Sequence, residues 1–445
     1  MKSQLVDSII HARWIIPVEP DETVYENHSL VTHQGKILDI LTTKQCKKKY
    51  HSLTEHHLNT HALIPGFINT HTHASMSLMR GMADDLPLME WLTDHIWPTE
   101  AQWVNYQFVK EGTDLAIAEM LRGGTTTFND MYFFPDAVAK SADEAGIRVS
   151  LGLIMIDFPS AWAKDSDDYL HKGLELHEQY RHHPLISTAF APHAPYTVSD
   201  EPLQQIKTYA EKLDIPIHIH LHETRDEVEQ AITNTGIRPI ARLEKLGLLS
   251  PLLVAVHMTQ LKDDEIELLQ RYGVNIVHCP ESNLKLASGF CPIGRLFRAK
   301  INVALGTDGA ASNNDLDMLS EMRTAALLAK AVAEDASIIP AHTALKMATL
   351  NGAKALGLDS VTGSLSRGKS ADMCAINLHT IETLPVFSPI SQIVYSSNRE
   401  QVSGVWVQGK HLLNNRRLTT LDEEQIKDQA IIWAEAMQAK KPQNK

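Results

Sequence analysis

Four separate segments of the chain place histidine or aspartate at the C-terminal end of an apolar, β-rich run. This repeated placement restricts the fold more than any other feature. The first run reads Leu63-Ile-Pro-Gly-Phe-Ile-Asn-Thr-His-Thr-His73, and the second Ile215-Pro-Ile-His-Ile-His-Leu-His-Glu223. The third is Leu253-Val-Ala-Val-His257, and the fourth Ile301-Asn-Val-Ala-Leu-Gly-Thr-Asp308. Residues so distant in sequence, all at strand ends, meet at the C-terminal mouth of a parallel β-barrel. Imidazoles and a carboxylate gathered there suit a catalytic divalent metal, Zn²⁺ first and Fe²⁺ second.

The rest of the chain fits such a barrel. Residues 64–362 alternate apolar β-runs with helical patterns, which argues for a parallel sheet. Eight strands are expected, at 64–70, 124–129, 147–154, 185–192, 215–221, 253–257, 274–278 and 301–306. Asp263–Tyr272 is one of the intervening helices. Eight strand–helix units predict a (β/α)8 TIM-like barrel. Residues 1–63 read as short strands and turns, including a hairpin over 29–40 that turns at Gln34-Gly35. β-rich sequence returns from Gly363 onward. The expected organisation is a barrel over 64–362 and a small β-sandwich domain built from 1–63 and 363–445, with a terminal helix over Asp422–Lys440. Ile426, Ile431, Ile432 and Ala434 give that helix an apolar docking face.

Bulk properties narrow the partners. A formal net charge of −13 repels a phosphate backbone, so nucleic acid is not an expected partner. No apolar run approaches the ~20 residues of a membrane helix, so no membrane association is expected. Asp7, His11 and Arg13 interrupt the N-terminal apolar stretch, so no signal peptide is expected. The four cysteines, Cys46, Cys279, Cys291 and Cys374, form no CxxC pair. Together these point to a cytoplasmic setting.

Individual motifs carry different weight. Among 23 histidines, about one HxH is expected by chance; the Pro65-Gly66 entry and the apolar strand before His71-Thr-His73 raise the signal. In His218-Ile-His-Leu-His222, at most one or two rings can reach one metal. Glu223 sits where strand gives way to loop, placed to act as acid or base toward a water at the metal. Asp308 completes a three-His, one-carboxylate set and can take a proton. Glycines at 306 and 309 allow close backbone approach there. No Lys lies between Lys172 and Lys207, where a bridging carboxylated Lys of a binuclear site would fall, so one metal is expected per subunit. Met76, Met79, Met82, Leu86, Leu88, Met89 and Trp91 read either as core or as the lining of an apolar pocket. Cys279, with no base assigned to it, reads as an inert buried thiol.

Taken together, Pro65–His73, Arg80-Gly81, His220-Leu-His-Glu223, His257, His278-Cys-Pro-Glu-Ser-Asn283, Gly306-Thr-Asp-Gly309 and Gly368-Lys-Ser-Ala-Asp372 resemble the amidohydrolase superfamily. Within it the chain is most similar to the 5-methylthioadenosine/S-adenosylhomocysteine deaminases. The resemblance implies His71, His73, His220 and Asp308 as metal ligands and Glu223 as the proton shuttle to the substrate ring nitrogen. It implies that His257 contacts the attacking hydroxide. Glu100 matches the acceptor of the ribose hydroxyls, and His193 a second substrate contact, with Glu223 and Asp308 also against the substrate. Arg148 matches either a substrate-tail arginine or a structural one. The implied activity is zinc-dependent deamination of an adenine nucleoside to its inosyl product. Guanine, 8-oxoguanine or pterin rings are the alternative substrates, and a non-enzymatic interaction protein the remote one. The sequence leaves homo-oligomerisation open.

Overall fold

In a computed structural model, which describes residues 3–439, two eight-stranded sheets divide the chain. One is the barrel. Its strands are β1 (Phe67–Thr72), β2 (Thr125–Asp130), β3 (Arg148–Met155), β4 (Ile186–Pro192), β5 (Ile217–Leu221), β6 (Leu253–His257), β7 (Asn275–His278) and β8 (Val303–Leu305). They pair in sequence order, every ladder parallel. Almost every strand residue is buried, because helices cover the sheet outside and side chains fill it inside. This is the (β/α)8 architecture expected from the alternation, with each strand where an apolar run foretold it.

The seam between β8 and β1 is where the barrel closes. The Asp308 amide donates to the His71 carbonyl at 3.0 Å, and the Thr307 amide donates to Asn69 Oδ1 at 2.9 Å. The Thr70 hydroxyl donates to the Leu305 carbonyl. A Cβ on Gly306 would lie 2.8 Å from His71 Cβ, so only glycine permits this approach. Gly306, two residues before Asp308, thus brings two chain segments together.

Both chain ends form the second sheet. Its strand order is Arg417–Leu418, Lys410–Asn414, Val402–Val407, Met373–Asn377, Tyr50–Pro65, Gln4–Ile15, Tyr25–His33, Lys36–Thr42. The expected small β-domain is therefore one mixed sheet, and its N-terminal strands are longer than the short ones foreseen. Gln34-Gly35 makes the hairpin turn, both residues at positive φ (50° and 74°), the pattern of a tight type I′ connection. Gln4–Ile15 runs parallel to Tyr50–Pro65. Parallel neighbours need a crossover, and the hairpin plus the helix Thr43–Lys49 provides it.

Arg148 joins the two sheets. It is buried at the start of β3, far along the strand from the mouth that its C-terminal end faces. Its guanidinium donates to Asp372 Oδ2 at 3.1 Å, to the Pro184 carbonyl at 2.8 Å and to Ser370 Oγ at 3.1 Å. Of its two readings the structural one fits this placement.

The terminal helix, Glu423–Ala439, docks differently from its apolar pattern. Met437 is buried, and Trp433 packs edge-on against Phe108 with ring centroids 5.2 Å apart. Ile431 and Ile432 point to solvent, each more than half exposed. The helical period places Ile426, Ala430, Trp433 and Met437 on one face, and the adjacent isoleucines fall off it. Lys440, the expected end of the helix, lies outside the described residues. Among the described residues no helix is long and apolar enough to cross a membrane.

Candidate metal centre and substrate cavity

Four strand ends converge. His71 is on β1, with His73 just beyond it; His220 is on β5, and Asp308 follows β8. One ligand atom from each lies within 4.8 Å of all the others. Asp308 Oδ1 stands 3.3 Å from His71 Nε2 and 3.2 Å from His73 Nε2, and the His71 and His220 Nε2 atoms are 3.1 Å apart.

The far side of each ring is tied down. His73 Nδ1 meets the Met131 carbonyl at 2.6 Å, and His220 Nδ1 meets the His193 carbonyl at 2.7 Å. A carbonyl only accepts, so each Nδ1 carries the proton and each Nε2 lone pair faces the centre. His71 Nδ1 meets His218 Nε2 at 2.8 Å. Asp308 Oδ2 accepts from Ser282 Oγ at 2.7 Å and Ser312 Oγ at 2.9 Å, and Oδ1 accepts from the Gly309 amide at 2.8 Å.

Protonation states suit the same purpose. Burial holds His71 down to about 4 and His220 well below its ordinary value. Asp308 stays well below the carboxylate range: burial works against it, but the bonds to His71 and His73 prevail. His73 is the exception. Burial disfavours its charge, yet Asp308 lifts it to about 9, the positive charge that a divalent cation would replace. Three neutral nitrogens and one carboxylate oxygen, fixed from behind, fit Zn²⁺ and leave a position for water.

The His218–His220–His222 run splits by position. His220 faces the centre and His218 stands behind His71. His222 turns away at φ 52°, bonding the Gln260 carbonyl through Nδ1 at 3.1 Å and accepting the Ile240 amide at Nε2 at 3.2 Å. Replacing His218 with Phe is expected to weaken metal affinity about 10–100-fold, because His71 loses its orienting partner. Chelator competition measures this; unchanged affinity would remove His218 from the site's support.

Glu223 and His257 stand beside the centre, His257 Nε2 3.8 Å from Glu223 Oε2. His257 Nδ1 meets Asn283 Oδ1 at 2.8 Å, which leaves Nε2 as an acceptor. Burial raises the Glu223 carboxyl above its ordinary value. Its backbone is held by a residue not singled out from the sequence: Glu227 Oε2 accepts the Glu223 amide at 2.6 Å, and Oε1 the His222 amide at 3.1 Å. The helix cap there is Thr224, which accepts the Glu227 amide. Glu223 itself is free to face the cavity.

That cavity, about 840 Å³ and open to solvent, is lined by His73, Glu223, His257 and Asp308 on one side. Glu100 and His193 also line it, with Trp91, Trp97, Phe133, Ile156 and Phe158 as apolar walls. The Tyr132 hydroxyl donates to Glu100 Oε1 at 2.6 Å. Burial pushes Glu100 up to about 7, against the Tyr132 bond. His193 Nδ1 bonds Thr197 Oγ1 at 3.0 Å, and the Thr197 hydroxyl donates to the Ala194 carbonyl, so His193 Nε2 remains an acceptor. Of the Met-rich stretch, Met76, Leu88 and Trp91 line the cavity, whereas Met79 is core. Cys279 is buried away from it, its thiol pushed well up by burial.

Residues 62–412 match the model of the amidohydrolase family. The chain belongs to the amidohydrolase family. This amidohydrolase is 50% identical over 439 residues to the 5-methylthioadenosine/S-adenosylhomocysteine deaminase of Saccharophagus degradans, covering 99% of this chain and 98% of the relative. It is 44% identical over 376 residues to the 5'-deoxyadenosine deaminase of Methanothermobacter thermautotrophicus, covering 83% and 86%. Among solved structures, it is similar to an adenosine deaminase from Xanthomonas campestris with bound zinc. There the TM-score is 0.97 and the identity 48%, covering 98% of this chain and all of that one.

Proposed function

We propose that this amidohydrolase is a zinc-dependent deaminase of adenine nucleosides, acting on S-adenosylhomocysteine, 5'-methylthioadenosine or adenosine. The observation that carries the nucleoside assignment is Glu100. This half-buried carboxylate faces the same cavity as the metal centre, yet the chemistry at the metal does not require it.

His71, His73, His220 and Asp308 would hold the metal, which supplies an activated water at neutral pH. Glu223 takes a proton from the attacking water and delivers it to the ring nitrogen beside the amino-bearing carbon. Its raised affinity for protons, a consequence of burial, suits a group that must both accept and donate near neutrality. His257 Nε2 accepts a hydrogen bond from the attacking oxygen and orients it. Asp308 helps carry the second proton to the departing amine; the carbon–nitrogen bond breaks, ammonia leaves and the inosyl product remains. Glu100 accepts the ribose hydroxyls while Tyr132 fixes its carboxylate, and His193 offers a second acceptor. The apolar walls suit the flat purine and the thioether of the 5' substituent. Four free, buried thiols support a reducing compartment, the cytoplasm.

Glu100→Ala is expected to lower kcat/KM on a nucleoside by about ten- to a hundred-fold, the worth of hydrogen bonds to a charged acceptor. A free base, which has no ribose, should be little affected. Ultraviolet absorbance with a panel of nucleosides and bases reads both arms. A wild type that prefers free guanine, or a Glu100→Ala variant with intact nucleoside turnover, would overturn the nucleoside reading.

A further inference from the structure

The small sheet carries a second cluster of metal-ligating side chains, remote in the fold from the barrel mouth. His11 lies on Gln4–Ile15, and Glu55 and His57 on the parallel neighbour Tyr50–Pro65. The register pairs His11 with His57 and Ile9 with Glu55, so all three side chains share one face. One ligand atom from each lies within 4.8 Å of the other two. Glu55 Oε2 is 3.4 Å from His11 Nε2 and 3.7 Å from His57 Nε2.

The decisive residue is His11. Only 6% exposed, it holds an Nε2 atom that makes no hydrogen bond. Its tautomer is set from behind. His11 Nδ1 meets Ser29 Oγ at 2.7 Å, the Ser29 hydroxyl donates to Thr43 Oγ1, and the Thr43 hydroxyl donates to the Asn27 carbonyl. With its one proton committed to Thr43, Ser29 can only accept from His11. Nδ1 is therefore the protonated nitrogen, and Nε2 presents a bare lone pair. Burial lowers the ring's proton affinity, which keeps it neutral near pH 7. A lone pair buried against a carboxylate oxygen is repulsive by itself. A cation between them removes the repulsion. The hydroxyl chain behind His11 orients the ring as outer partners orient metal-bound histidines.

We propose that His11, Glu55 and His57 form an accessory binding site for a borderline divalent cation such as Zn²⁺. Two imidazoles and one carboxylate suit that metal class rather than Ca²⁺ or Mg²⁺, which prefer oxygen. Glu55 and His57 are exposed, so water completes the shell and exchange with solvent is open. The bound ion would clamp the first strand to the long strand beside it. It would bind more weakly than the metal at the barrel mouth, because it has three protein ligands rather than four.

Zn²⁺ titration of the enzyme with its barrel metal already loaded, followed by calorimetry, tests this directly. One further binding event is expected. In His57→Ala and in Glu55→Ala it should weaken at least about tenfold, the scale of losing a metal-site partner, with kcat/KM on the nucleoside unchanged. Both side chains are exposed, so both variants should fold. Thermal melts provide the second readout: at the same added Zn²⁺, the wild-type Tm should rise more than that of His57→Ala. His220→Ala, which disturbs the barrel site, should retain the accessory event. Absence of a further event, or an event of equal strength in both variants, would overturn the proposal.

Discussion

Glu223→Gln is expected to keep the metal and lose turnover by at least about 10²–10⁴-fold. The amide preserves the shape of the carboxylate but cannot carry a proton. Glu223 is none of the four residues whose ligand atoms cluster at the centre, so metal content should be unaffected. Its backbone amide is bonded to Glu227, so the loop should remain in place. Ammonia release under saturating substrate measures the loss, and elemental analysis of the same preparation checks the metal. Turnover near the wild-type value would remove Glu223 from the mechanism.

His220→Ala is expected to lose most of the bound metal and nearly all activity. The ring contributes the one donor from β5, and its Nδ1 bond to the His193 carbonyl aims it. Three donors would remain from the β1 and β8 ends alone, open on the β5 side. Because His220 is buried, a melting curve should accompany the metal analysis. A folded variant that retains both its metal and its turnover would exclude His220 from the ligand set.

The barrel was readable because a parallel strand buried on both faces leaves a continuous apolar run, and the metal-ligand candidates end such runs. The small sheet was less readable. Tyr50–Pro65 mixes Leu53 and Leu58 with Ser52, Thr54, Glu55 and four histidines, and one face meets solvent, so no apolar run marks the strand before Ala62. Side chains that support the site from behind were harder still. Asn283 and His218 lay inside quoted motifs, but only tertiary structure places one against His257 and the other against His71. Tyr132 lies just beyond β2 and is tied to Glu100, 32 residues earlier; no local pattern announces that contact. The terminal helix shows the opposite error: four apolar residues suggested a face, but helical geometry puts Ile431 and Ile432 outside it.

The position of Met373–Asn377 in the small sheet has a consequence for synthesis. This strand pairs antiparallel with the end of Tyr50–Pro65, from Met373 opposite Pro65 to Asn377 opposite His61. On the ribosome, the apolar stretch Ala62–Ile64 emerges long before its partner exists. At ~5–20 residues per second, that edge waits roughly 15–60 s for the strand that covers it. An unpaired apolar edge is a template for joining another chain. The nascent protein is therefore most exposed to misassembly while the whole barrel is being made, and holdases that bind extended apolar segments would find their target just ahead of the first strand of the candidate metal centre.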